Sequence, residues 1–330
     1  MFWKKVVRQL NVYVTHSDVH NKKSCNVIHY SFFQGLKTMT VEYIFNHALP
    51  ITNRLKSVDK IEFSPATLQK YIKLRKPVIF TNMIEKWPAY QNWNINYLMG
   101  HCNSTNIYIK KIKENKKEVM RFSDALKIIL AQHENKIKNG IVIQMCQIIT
   151  GNWFSRGQPI LATLKNDIII PDIITPKKIV EVNFWAGSGN TITELHYDPT
   201  ENLLSMITGR KNIVIFPPNQ TKLLYNISPK ISKKSITHSV VDIQSLDLKK
   251  YPNLAHAKYY ECGIKKGETL YLPNGFWHVV ESLDLNMAVN IWWLPKFNDF
   301  LKLPVRRFWK AEVYSRIKGK GSCVPHTHPT

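Results

Sequence analysis

"ELHYDPTENLLSMITGRK", residues 194–211, sets a histidine, a carboxylate, an amide and a lysine among residues that otherwise favour strands. Side chains two apart on a strand point to the same side, so His196 and Asp198 share a face and suit two ligands of one metal ion. Asn202, six residues after His196, has the same parity and faces the same cavity if the strand continues. Gly209 supplies a reversal, and Lys211 starts the returning strand one hairpin away from His196. The plain alternative is a hairpin with a solvated face. His-x-Asp alone does not decide between them, since His16-Ser17-Asp18 is a second copy without such surroundings.

The deciding signal lies downstream. "GETLYLPNGFWHVVES", residues 267–282, places His278 after a glycine, a strand and a Pro273-Asn274-Gly275 turn, which supplies a third candidate ligand. Two imidazoles and one carboxylate on one face of iron(II) leave adjacent positions open. Around these residues the texture is that of short strands: roughly 180–186, 191–198, 203–207, 211–216, 258–264, 268–272, 276–282 and 286–293, with no helical period among them. Such spacing indicates a β-sandwich or barrel, interrupted by a polar insertion at about 220–257.

Upstream the pattern is mixed. Ser64 and Pro65 open a helix over 65–74 with Leu68, Tyr71 and Ile72 on one face. Strands are expected at 77–82, 107–113 and 140–149, and a helix capped by Ser123 stands before the last. Residues 1–60 show no clear register, and about 304–318 reads as a basic helix.

"LHYDPTENLLSMITGRKNIVIFPP" (195–218), "KGETLYLPNGFWHVVES" (266–282) and "MAVNIWW" (287–293) together resemble the JmjC, or cupin-like, iron(II) and 2-oxoglutarate oxygenases. The likeness is greatest to small members without chromatin-reader modules. These include the asparaginyl hydroxylase that inhibits hypoxia-inducible factor and the hydroxylase of the wybutosine tRNA pathway. It covers 178–295 strongly, and "RKPVIFTNMIEKWPAYQNW" (75–93) extends it upstream.

The resemblance implies a mainly β fold with flanking helices, a double-stranded β-helix (jelly roll) whose open mouth holds the metal. It divides the chain into an extension (1–60), an N-terminal α/β part (61–177), a catalytic core (178–295) and a basic C-terminal segment (296–330). It makes His196, Asp198 and His278 the Fe(II) ligands, with 2-oxoglutarate and O2 as cosubstrates. Lys211 becomes the anchor of the far carboxylate, and Asn202, Asn290 and Thr193 become cofactor contacts. Thr193 has the wrong parity for a flat strand and needs a bulge or twist to reach the site. Some relatives place a tyrosine on the cofactor from the strand at 140–147; this chain has "GIVIQMCQ" there, which leaves the contact absent or supplied elsewhere, as by Tyr108. Trp185, Trp277, Trp292 and Trp293 read as core. Substrates implied are a protein side chain or, with the same chemistry, RNA. A non-catalytic cupin binding module is the alternative from another class, and a homodimer through the C-terminal segment is a further expectation.

Composition bounds the rest. With 330 residues, 44% of them hydrophobic, the chain can bury a substantial core. No apolar run approaches the ~20 residues that cross a bilayer. Five scattered cysteines without a Cys-x-x-Cys pair predict free thiols and a reducing, intracellular location, cytoplasmic or nuclear. Residues 1–17, acid-free with three basic residues, read either as a mitochondrial presequence or as an amphipathic N-terminal element. The net charge of +23 would attract an acidic partner, yet only nine of the 46 basic residues are arginine, which fits coding bias better than a dedicated phosphate-binding surface.

Overall fold

The computed structural model describes residues 53–310, apart from 56, 115, 152–158, 228–236, 243–244, 297, 299–303 and 307. The first half runs β1 (Asp59–Ile61), α1 (Pro65–Leu74), β2 (Val78–Phe80), α2 (Pro88–Asn92), α3 (Ile95–Cys102), β3 (Asn106–Lys111), β4 (Lys116–Arg121), α4 (Phe122–Glu134) and β5 (Ile141–Thr150). The second half is β6 (Ile179–Gly187), β7 (Thr191–Ile192), β8 (His196–Tyr197), β9 (Glu201–Thr208), β10 (Arg210–Phe216), β11 (Tyr260–Lys265), β12 (Thr269–Leu272), β13 (Trp277–Ser282) and β14 (Asn286–Trp293).

Two sheets result. One has nine strands in the order β1-β2-β12-β9-β14-β6-β5-β3-β4; the other has β11-β10-β13-β7, with β8 also paired to β13. Consecutive strands β9 and β10 lie in different sheets, as do β12 and β13, which is the crossing pattern of a double-stranded β-helix.

Alternation along the strands sorts the side chains into layers. On the large sheet, Val182, Phe184, Leu203, Val289 and Ile291 face outward and pack with Leu68, Leu98, Leu126 and Ile129 of the helices. Between the sheets, Leu270, Leu272 and Met206 meet Ile213, Ile215 and Ile264. The outer face of the small sheet carries Val214, Phe216, Trp277 and Val279, covered by Leu224 and Leu254 of the insertion and by Tyr259 just after it. Lys211 has the parity of Ile213, and His278 is opposite in parity to Val279, so both belong to the barrel interior.

Local chemistry explains the element ends. Ser64 caps α1 in a reciprocal box: its Oγ accepts from the Thr67 N–H at 3.0 Å and its own N–H donates to Thr67 Oγ1 at 2.8 Å. The Arg75 guanidinium, just past α1, donates to the Asn274 carbonyl at 2.9 Å and so ties this helix to the turn before His278. At Gly209 (φ +76°) a Cβ would sit 2.3 Å from the Leu285 carbonyl oxygen, so only glycine makes this hairpin.

Several details differ from expectation. The helix after residue 121 begins at Phe122, with Arg121 rather than Ser123 at the cap position, and Ser123 is buried in its first turn. The strand expected over 191–198 is split into β7 and β8. β4, α2 and α3 carry no strong sequence period and were not anticipated. Residues 1–52 and 311–330 lie outside the described residues, so the presequence, most of the basic helix and the dimer expectation built on it are not addressed.

Candidate metal centre

The split of β7 from β8 shapes the centre. Thr193 keeps its backbone N–H on the Val280 carbonyl at 2.9 Å, but its hydroxyl, not its carbonyl, accepts from the Val280 N–H at 2.9 Å and also lies 3.2 Å from the Val280 carbonyl as donor. The chain rejoins β13 at His196, whose register partner is His278. Strand pairing therefore delivers two histidines side by side, with ring centroids 4.2 Å apart. Asp198 follows on the same face, and the Gly275 N–H donates to its carbonyl at 2.8 Å, so the Pro273–Gly275 turn holds both the aspartate backbone and the approach to His278. Glu201, buried, steadies that turn by accepting from the Tyr271 hydroxyl at 2.7 Å and the Asn274 N–H at 3.2 Å.

One ligand atom each from His196, Asp198 and His278 lies within 4.8 Å of the others. The donor set fits a divalent ion. His196 Nδ1 is 2.8 Å from the Glu194 carbonyl oxygen, and His278 Nδ1 is 3.1 Å from that of Phe276. A carbonyl only accepts, so each Nδ1 carries the hydrogen and each Nε2 lone pair is left for a metal. Burial, reinforced by His196, holds the His278 pKa well below the usual imidazole value, which keeps that ring neutral. Burial raises the Asp198 pKa, opposed by nearby His196, Asn202 and His238. A bound cation would offset the burial of the Asp198 carboxylate and is compatible with a neutral His278.

The other expected residues arrange themselves around this trio. Asn202 Nδ2 donates to Asp198 Oδ2 at 3.1 Å. Asn290 Nδ2 is 3.5 Å from Asn202 Oδ1, and its own Oδ1 accepts from the Trp185 indole at 2.6 Å. Both asparagines are buried and connect to Asp198 rather than lining a cavity. Lys211 is 9% exposed and donates to Ser282 Oγ at 2.6 Å. Burial pushes its pKa down to about 8, Asp284 opposing.

A cavity of about 270 Å³ opens beside His196 and Asp198, and a smaller one of about 40 Å³ adjoins it. The two share Ile112, Gln144, Trp185, Ile192 and Thr193, and the smaller is lined by Lys211 and Ser282. An elongated dicarboxylate reaching from the metal trio to a buried ammonium would follow this path. Gln144 and Met145 turn toward it through a bulge in β5, where Met145 has φ +52°. The Tyr108 hydroxyl is buried without a hydrogen-bond partner, and Tyr108 lines neither cavity.

Two tryptophans depart from expectation. Trp277 and Trp293 are core, but Trp185 and Trp292 line the large cavity. They share inward parity with Asn290, and only the strand register, not the residue type, makes that visible. Also unanticipated are Ser282, Glu201 and His238. The His238 ring stacks on that of His196 with centroids 5.4 Å apart, and Thr237 beside it lines the cavity. Phe308 and Trp309, from the C-terminal segment, line it too.

A jelly-roll barrel with a His-x-Asp pair and a distant histidine converging in its interior, and a buried lysine in the adjoining cavity, defines a cupin with a candidate metal centre. Residues 64–299 match the family model described as the cupin-like domain, and the chain belongs to that family, with JmjC proteins among its relatives. It is 28% identical to lysine-specific demethylase 8 of Xenopus tropicalis over 68% of this chain and 49% of that protein. It is 28% identical to lysine-specific demethylase JMJ30 of Arabidopsis thaliana over 68% of this chain and 52% of that one. The human tRNA wybutosine-synthesizing protein 5 is 26% identical over 74% of this chain and 78% of its own length. The chain thus spans about half the length of the two demethylase-named relatives. Among the described residues no helix is long and apolar enough to cross a membrane.

Proposed function

We propose that the protein is an Fe(II) and 2-oxoglutarate-dependent dioxygenase that hydroxylates a protein side chain. His196 Nε2, Asp198 and His278 Nε2 would hold the iron. Lys211 with Ser282 would take the far carboxylate of 2-oxoglutarate. Once bound, this pair and O2 supply the oxidation: one oxygen atom enters a substrate C–H bond as hydroxyl, the other enters succinate, and CO2 leaves. The chain's own residues do the positioning. Asn202 and Asn290 orient Asp198, the Nδ1–H bonds to Glu194 and Phe276 fix both imidazoles, and Trp185 closes the wall between the two cavities.

The observation that carries this reading is the junction of the two cavities, with three convergent ligand atoms beside one and a buried ammonium in the other. On the same reading, 178–295 carries the metal ligands and Lys211, while 61–177 extends the large sheet and adds Ile112, Gln144 and Met145 to the cavity walls.

RNA is the second reading, favoured by the +23 charge and by the tRNA-modifying relative. Succinate release from 2-oxoglutarate, measured with peptide pools and with tRNA at rising salt, separates the two. Peptide-stimulated turnover with a shallow salt slope supports the first reading. Turnover stimulated by tRNA alone, with binding that falls steeply with salt, replaces it with the second. Failure to bind 2-oxoglutarate with iron present leaves a non-catalytic module.

A further inference from the structure

The β3–β4 hairpin carries lysines on both faces, and the two faces differ. On the side of Ile107 and Ile109, which pack into the outer core, Lys111 and Lys116 stand directly opposite one another and both hold Glu118, at 3.0 and 3.1 Å. Lys110 and Lys117 alternate with these residues and so lie on the other side, again directly across the ladder from one another. Both line the large cavity. No aspartate or glutamate of the described residues forms an ion pair with either of them. Desolvation, and then the charge of Lys110, lower the Lys117 pKa, and no carboxylate opposes the shift.

Like charges directly across a ladder destabilise it, because their Cβ atoms stand only about 4.5–5.5 Å apart. The outer face of the hairpin resolves this with one glutamate between two lysines. The cavity face has the same two lysines without the glutamate. Its position ties the missing carboxylate to the candidate site. Ile112, two residues after Lys110, lines both cavities, so the pair stands roughly 7 Å from their junction. β4 ends the large sheet, which leaves Lys117 exposed at the rim while Lys110 is half-buried. An anion entering from solvent therefore meets Lys117 first and Lys110 deeper in.

We propose that Lys110 and Lys117 receive a carboxylate of the substrate, the side chain of an aspartate or glutamate at or next to the residue that is hydroxylated. This rests on the reading of the protein as a side-chain hydroxylase and names a residue that its substrate carries. A carboxylate has two oxygens and accepts a charge-assisted hydrogen bond from each ammonium, as Glu118 does on the other face. A nucleic-acid backbone fits less well. It presents a phosphate at every nucleotide, whereas Lys110 and Lys117 are the only lysines or arginines among the described residues that line the large cavity, and Glu181, Glu194 and Asp198 line it too. One carboxylate between two ammoniums suits this mixed wall.

The test uses the full chain loaded anaerobically with Fe(II) and 2-oxoglutarate, so that nothing turns over. Short blocked Gly/Ser peptides carry one central glutamate, glutamine, aspartate, asparagine or lysine, and binding is read from tryptophan fluorescence. Glutamate or aspartate is expected to bind at least ~10-fold tighter than its amide. The double variant Lys110→Gln, Lys117→Gln is expected to bring acid and amide within about 2-fold of each other and to keep the 2-oxoglutarate affinity of the wild type. Equal binding of acid and amide to the wild type, no measurable peptide binding, tighter binding of the lysine peptide, or an acid preference that survives in the double variant overturns the proposal. A short RNA whose binding falls in the double variant, while acid and amide peptides are not discriminated, assigns the pair to phosphate and overturns it as well. So does a loss of 2-oxoglutarate affinity of ~10-fold or more in the double variant, which assigns the pair to the cosubstrate. Thermal melting excludes misfolding: removing two facing charges should leave the melting temperature unchanged or higher, whereas a lower one together with lost binding makes the pair structural. Should the wild type take up neither iron nor 2-oxoglutarate, the oxygenase reading itself falls. Loading without acid preference removes only the role of the lysine pair.

Discussion

Along β10, Ile213 and Ile215 point into the barrel among Leu270, Leu272 and Met206, whereas Lys211, two residues earlier on the same face, points in toward Ser282. Two kinds of position thus sit side by side in one interior, since Ile215 pairs directly with His278 while Lys211 pairs with Ser282. The apolar positions gain from burial, about 1.5–3 kcal/mol per large side chain. At the polar positions burial works against the charged groups: it lowers the pKa of Lys211 and His278 and raises those of Asp198 and Glu181. Groups whose burial opposes folding, set among well-packed apolar side chains, mark where ligands are to be bound.

The contrast is sharpest for the ligands. Asp198→Ala is expected to lower 2-oxoglutarate turnover at least ~1,000-fold, the equivalent of roughly 4 kcal/mol, while leaving the melting temperature of the metal-free protein unchanged or higher. A variant that unfolds instead would place Asp198 with the structural positions. Ile213→Ala should do the reverse: it should lower stability by about 2–5 kcal/mol in denaturant titration and leave the 2-oxoglutarate affinity of the folded fraction within a few fold.

Lys211→Met bears on both ligand binding and stability. Its loss should weaken 2-oxoglutarate binding ~10–100-fold in calorimetry. The same change removes a buried ammonium whose pKa falls from 10.5 to about 8, a shift worth about 3 kcal/mol, so the ligand-free variant should be more stable at pH 7. The sign follows from proton binding. The unfolded chain holds the Lys211 proton up to its ordinary pKa, so the wild type carries this penalty below pH 8 and sheds it as pH rises toward 10.5. In consequence, 2-oxoglutarate affinity should be flat below pH 8 and fall above it, as the free protein loses the charge that the carboxylate needs. Asn202→Ala, which frees one oxygen of Asp198, should have a milder effect, ~10-fold or somewhat more on iron affinity by competition with a chelator.

The apolar positions and the ligand pair were readable from the sequence because both rest on period-two alternation. The strands of the core, the Gly209 reversal and the shared face of His196 and Asp198 all follow from it. His278 required the Gly-to-Pro-to-His frame, whose physical basis emerges only in three dimensions: the turn's Gly275 N–H grips the backbone of Asp198. Thr193 shows where alternation fails, since its hydroxyl replaces a ladder bond and the strand is broken around it. Glu181, Ser282, Trp185 and Trp292 were invisible as site residues for another reason. Each is ordinary by type, and only pairing between strands far apart in the chain carries it to the cavity. His238 lies in an insertion with no period at all, although a histidine amid a polar insertion could have been marked as a candidate from type alone.

The most direct test of a single iron centre built by these three side chains is anaerobic titration of Fe(II) into the metal-free protein with 2-oxoglutarate present, followed by visible absorption. The expected result is a charge-transfer band that saturates at one iron per chain and is absent from Asp198→Ala. A protein that stays colourless and takes up no stoichiometric iron, or a band that persists undiminished in Asp198→Ala, would contradict it.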